Sequence, residues 1–208
     1  MIGAWGAASV CTLMVALASL FVLAPAKTDV GATRPGGTSF FDALRELVRA
    51  DMLIRMAAMA AVTGITRLAT MIWPLILTLE LGGSSRDVGF IAALIALIEI
   101  PFMLIAAALV KRFSLLLLIV VSAILYGLHM VGFAFATEPW HFYALAIPGA
   151  ASAAALLSLP ITYFQDLFPT RPGLGTAFMP INSFLGNAVS ASSFAVGAHF
   201  FGYSGTAW

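Results

Sequence analysis

Apolar residues run along this chain in long blocks, with short polar clusters between them. A helix that crosses a bilayer needs about 20 mostly apolar residues. Six blocks meet that length, near residues 3–25, 54–80, 88–110, 113–134, 140–164 and 173–200. The connections are short, except the stretch between the first and second blocks. That stretch opens KTDVGATRPGGTS, where Gly, Pro and Thr punctuate and do not pack. It continues as FFDALRELV, with Phe41, Leu44 and Leu47/Val48 on one side of a short helix and Asp42, Arg45, Glu46 and Arg49 around the other. This pattern fits a helix lying on the membrane surface; a soluble linker turn is the alternative. The pattern predicts an all-α integral membrane protein of six transmembrane helices: a first helix in 1–26, a linker in 27–53 and a five-helix bundle in 54–208.

Composition turns the pattern into a class. The chain of 208 residues is 62% hydrophobic and 9% charged, with a mean hydropathy of +1.04. Soluble domains carry roughly 25% charged residues, and no water-soluble core of this size hides so much apolar surface. The basic residues are not clustered as a nucleic-acid footprint requires. The single cysteine, Cys11, has no internal partner, and His129, His141 and His199 stand too far apart to read as a metal site. No phosphate loop, nucleophile elbow or paired-His motif is present, so neither an enzyme nor a cofactor is expected. Ala24-Pro25-Ala26 resembles a signal-peptide cleavage site, but no basic residue precedes Lys27 and the charged leader of such a peptide is missing.

Charge also gives an orientation. Lys27, Arg34, Arg45, Arg49 and Arg55, the Lys111-Arg112 turn and Arg171 all fall on one side, against Arg86 alone on the other. The positive-inside rule makes the 27–53 linker cytoplasmic and turns both ends of the chain outward. Trp5, Trp73 and Trp140 fall toward the outer ends of their helices, where interfacial anchors belong.

Two charges lie near the middle of the membrane blocks. Arg67 precedes the turn at Ser84 by 17 residues and Glu99 follows it by 15. In an antiparallel hairpin their depths agree to about 3 Å. Each costs roughly 2.5–3.5 kcal/mol at a helix centre facing lipid, so both are expected to face protein or water, as an ion pair or in a shared polar cavity. Such a pair is either a static packing device or a proton or substrate site. Pro101 loosens the backbone beside Glu99.

The last block carries a polar stripe. Thr176, Pro180, Ser183, Asn187 and Ser190 fall within about 40° of one line, with Phe178, Leu185, Val189 and Val196 on the far side. Neutral amides and hydroxyls both donate and accept, which suits an uncharged polyhydroxylated ligand. The alternative is interhelical polar glue, with Gly186 and Ser190 permitting close approach. In the fifth block, Ala146, Gly149 and Ala153 form a small-residue packing seam broken by Pro148 and Pro160, and Tyr163, Gln165 and Asp166 cluster at the inner mouth. His129 reads as a packing residue.

These features resemble a known family. The order of helices after a long cytoplasmic linker is similar to the second half of a major facilitator superfamily transporter. LVKRFSLLLLI resembles the basic turn between the family's eighth and ninth helices, and PTRPGLGTA the turn before its eleventh. WPLILTLEL, EIPFMLIAAALVKR and YFQDLFPTRPGLGT resemble its sugar efflux transporter branch, over roughly 54–208. The resemblance implies helices six to eleven of a twelve-helix carrier in the cell (inner) membrane, with the N-terminal half and the last helix outside this chain. It implies efflux of sugars or sugar-like solutes by alternating access, in exchange for protons.

Glu99, Ser183 and Gly186 occupy matching positions, but Phe184 stands where the family pattern has an arginine, which puts sugar specificity in question. On this reading Glu99 and Arg67 serve proton coupling. Thr176, Ser183, Asn187 and Ser190 bind substrate. Pro101, Lys111, Arg112, Asp166, Arg171, Gly173 and Gly186 are structural or gating. The other readings are a multidrug exporter and a non-transporting half-length membrane subunit.

Overall fold

The computed structural model describes residues 49–168 and 172–201. They form five helices: α1 Ala50–Leu79, α2 Ser85–Leu109, α3 Leu115–Ala134, α4 Pro139–Leu167 and α5 Pro172–Phe201. No strand occurs among the described residues. The predicted first helix, Trp5 and the FFDALRELV segment lie outside the described residues. By length and composition, α1, α2, α3 and α4 can each cross a membrane. The 30-residue α5 is long enough but carries Thr, Ser, Asn and Gly along its length.

Local chemistry sets the boundaries. Helix α1 starts at Ala50, four residues before the predicted 54. It ends in a turn where Gly82 adopts φ +70, a conformation only glycine takes at no steric cost. Ser84 then caps α2 in a capping box. Its N–H and hydroxyl donate to Asp87 Oδ2 at 2.8 and 2.7 Å, and Asp87 N–H donates back to Ser84 Oγ at 3.3 Å. Ser114 Oγ caps α3 by accepting from Leu117 N–H. Pro139 opens α4 at a position where its missing N–H costs nothing. Pro74, Pro101, Pro148, Pro160 and Pro180 all lie inside helices, as membrane helices tolerate.

Helix α4 is the hub and packs against each of the other four; α5 packs chiefly on α1, and α2 and α3 chiefly on α4. The small-residue seam permits this. Ala146 and Gly149 are buried and Ala153 half-buried. A Cβ on Gly149 would sit 2.5 Å from the ring of His129, so glycine is what lets α3 and α4 close around that histidine. His129 is buried and packs edge-on to Phe133, with ring centroids 4.5 Å apart. Phe178 of α5 stacks on Phe164 and Phe168 at 5.7 and 5.3 Å, so the apolar side of α5 meets protein there, while Leu185 and Val189 further along it are exposed.

The outer faces are apolar. Leu97, Ile100 and Leu104 of α2 are 63–70% exposed, and Leu117, Leu125 and Leu128 line the outside of α3. A surface like this belongs against lipid. Trp73 is corrected from the interfacial anchor the sequence suggested: it is buried in the core, while Trp140 is exposed. The reason is azimuth, since Trp73 lies on the same face of α1 as the buried Ala69 and Leu77.

Candidate functional site: the polar face of α5 and the charges of α1 and α2

Helices α1 and α5 run parallel. Their contacts advance together, with Asn182 on Thr63, Gly186 on Thr63, and Ser190 beside Met71. Gly64 and Gly186 sit at the crossing. A Cβ on Gly186 would lie 2.9 Å from the Thr63 side chain, and one on Gly64 would lie 2.9 Å from the Gly186 carbonyl. The close approach that the sequence assigned to Gly186 is therefore present.

This packing decides which side of α5 is covered. Gly175, Phe178, Asn182 and Gly186 face the bundle and are buried. The predicted stripe lies about 100° further round. Thr176, Pro180 and Asn187 are exposed, Ser183 is half-buried, and only Ser190 is buried. Thr176 accepts from Gln165 Nε2 at 3.3 Å. Ser183 and Asn187 thus lie on a face that the described helices do not cover.

Asn182 was not singled out in the sequence. It is 1% exposed, and its Nδ2 donates to Thr63 Oγ1 at 2.9 Å, while its Oδ1 has no partner. An unsatisfied buried polar group costs about 1–3 kcal/mol. The signal was its place one residue before Ser183, which gains meaning only once the partner of α5 is known.

The two membrane charges are not brought together. Arg67 is exposed on α1, and Glu99 is half-buried on α2, within electrostatic reach of the buried Tyr126 of α3. No Arg67–Glu99 ion pair forms; among the described residues the one ion pair is Arg49–Asp51 at 3.5 Å, at the surface. Matched depth is not matched azimuth. Helix α1 turns toward α5 while α2 turns toward α4, and the hairpin partners meet each other little. Arg67 instead falls between Thr63 and Met71, four residues from each, on the side of α1 that meets α5.

The buried cation of α1 is Arg55, which the sequence counted among the cytoplasmic charges. It is 7% exposed and donates from Nη1 to the Tyr163 hydroxyl at 3.1 Å. At the opposite end of α4, Tyr143 OH donates to Asp87 Oδ1 at 2.8 Å. The remaining predicted residues are peripheral. Lys111, Arg112 and Asp166 are exposed, as are Pro101 and Gly173, and Arg171 lies outside the described residues. No cluster of three or more His, Cys, Asp or Glu side chains suited to a metal occurs among the described residues.

An all-helical bundle with apolar outer faces and four helices able to cross a membrane is that of a multi-pass membrane protein. Comparison with known proteins narrows the class. The chain is 32% identical over 129 residues to a putative sugar efflux transporter of Deinococcus radiodurans, covering 62% of this chain and 33% of that protein. It is 26% identical over 160 residues to sugar efflux transporter B of Salmonella typhimurium, covering 77% and 41%. It is 28% identical over 130 residues to sugar efflux transporter A of Dickeya chrysanthemi, covering 62% and 33%. Over these stretches the chain is thus similar to three proteins named as sugar efflux transporters. The matched stretch spans well under half the length of each relative. No protein-family model and no solved structure matches the chain.

Proposed function

We propose that this chain forms part of a secondary active transporter that exports sugars or sugar-like small solutes by alternating access. The observation that carries the reading is the uncovered polar face of α5, Thr176, Ser183 and Asn187, in a chain similar to sugar efflux transporters. Polar side chains do not face lipid without cost, and neutral hydroxyls and amides match the donors and acceptors of a polyol. The solute would lie on this face, between these helices and the remainder of the carrier, near the membrane midplane.

Glu99 is the proton-responsive group in this reading. It lies within the span of α2, half-buried and without an arginine to fix its charge, so it is free to exchange a proton with a water-filled path. Arg67 supplies a second charge beside the α1–α5 face. Proton and solute would favour different states of the carrier, and that difference couples their flows. The 27–53 linker is cytoplasmic and the membrane is the cell (inner) membrane. Glu99→Gln is expected to abolish sugar efflux driven by a proton gradient in membrane vesicles while leaving the unfolding temperature unchanged. Efflux that keeps its full dependence on the gradient would remove Glu99 from the mechanism.

A further inference from the structure

We infer that the side-chain amide of Asn182 is a recognition group for a solute hydroxyl, placed just behind the exposed stripe of α5; this rests on the transport reading above. The amide is 1% exposed, and one of its two ends is bonded, to Thr63 Oγ1 at 2.9 Å. Its other end meets no donor. Turning the amide over exchanges the ends and leaves the NH2 group unpaired in place of the oxygen. In either orientation a buried half-amide waits for a partner.

The surroundings do not supply one. The Thr63 carbonyl already accepts from Thr66 Oγ1 at 2.8 Å. The next polar group along the seam, Ser190, has only the Met71 thioether at 3.9 Å. Between them the helices meet at Gly64 and Gly186, where Val189 and the Thr63 methyl reach across and present only carbon to the gap. Water on the adjoining Ser183 side does not reach the amide, which is buried. A hydroxyl both donates and accepts, so it satisfies the free end of the amide in either orientation, whereas an apolar solute satisfies neither.

Access follows from the same crossing. Ser183 and Asn187 sit on the adjoining, uncovered face of α5. A small sliding of α5 along α1, which lifts Val189 off Gly64 and the Thr63 methyl off Gly186, opens the seam to a solute already seated on that face. The orphaned amide then makes the solute-bound state the one in which every polar atom of the seam is paired. Sites built to bond a hydroxyl discriminate strongly against ligands that lack one.

The test uses the native-length protein in proteoliposomes, with radiolabelled glucose, lactose and methyl β-galactoside as probes. Asn182→Leu is expected to raise the KM of the transported sugar about tenfold, the loss of one hydrogen bond. Gly149→Ala, which strains α3 against α4 far from the seam, is expected to lower the unfolding temperature and leave KM unchanged. An Asn182→Leu protein with wild-type KM and only a lowered unfolding temperature would make the amide a packing residue and overturn the inference. Should that variant fail to reach the membrane, Asn182→Ala, which removes the amide without adding bulk, carries the same comparison. A wild-type protein that moves none of the three sugars overturns the transport reading, and this inference with it.

Discussion

At the scale of single residues, one buried polar contact and two glycines can be tested directly. Arg55 is enclosed in the bundle with the Tyr163 hydroxyl as its hydrogen-bond acceptor. Tyr163→Phe removes that acceptor and leaves a buried guanidinium short of a partner. A loss of about 1–3 kcal/mol is expected, read as a lower unfolding temperature in detergent. Gly149→Ala places a methyl 2.5 Å from a ring that has no room to retreat, and overpacking of this kind costs about 1–3 kcal/mol. Gly173→Ala, with nothing within 4 Å of its Cβ, is the matched control and should be silent. The sequence marked Gly149 through the spacing of Ala146 and Ala153, because a small-residue seam is periodic. It could not mark Arg55 or Asn182 as buried, because burial depends on which neighbour a helix turns toward. It paired Arg67 with Glu99 from depth alone, and depth fixes only one of the two coordinates that a contact needs.

Between helices, the account rests on α4 as the common partner. Tyrosines near its two ends each hold a different neighbour. Tyr143 donates to Asp87 at the start of α2, and Tyr163 accepts from Arg55 at the start of α1. Twenty residues of helix separate them, about 30 Å, so the ties lie toward opposite faces of the membrane. Tyr143→Phe is expected to loosen the α2 start, giving faster hydrogen exchange at 85–90 and little change at 160–167. Tyr163→Phe is expected to do the reverse. The five described helices were legible because apolar runs of this length admit few readings; the caps at Ser84 and Ser114 set the starts of α2 and α3 at Ser85 and Leu115, against the 88 and 113 read from the apolar pattern. The four-residue advance of α1 was not legible, because Ala50–Leu53 extends the helix beyond the apolar block into residues that look like linker.

For the molecule as a whole, the question is which surface meets lipid and which meets an aqueous path. The exposed leucines of α2 and α3 mark one side, and Ser183, Asn187 and Arg67 mark another. Composition alone announced a membrane protein, and the polar stripe of α5 was visible from its spacing. That the stripe would remain uncovered was not visible, because it follows from α5 using a different face, Gly175 to Gly186, to reach α1 and α4. The similarity to sugar efflux transporters covers under half of those relatives, and in the proposed reading the rest of the carrier supplies the opposite wall of the path. The most direct test of the central claim is cysteine accessibility in intact membranes, in a background with the single native Cys11 replaced by serine. Cysteines at 183 and 187 on α5 and at 97 and 104 on α2 would be exposed in turn to a membrane-impermeant thiol reagent. Labelling is expected at 183 and 187, slowed by added sugar, and none at 97 and 104. Labelling at neither α5 position, or equal labelling on α2, would contradict it.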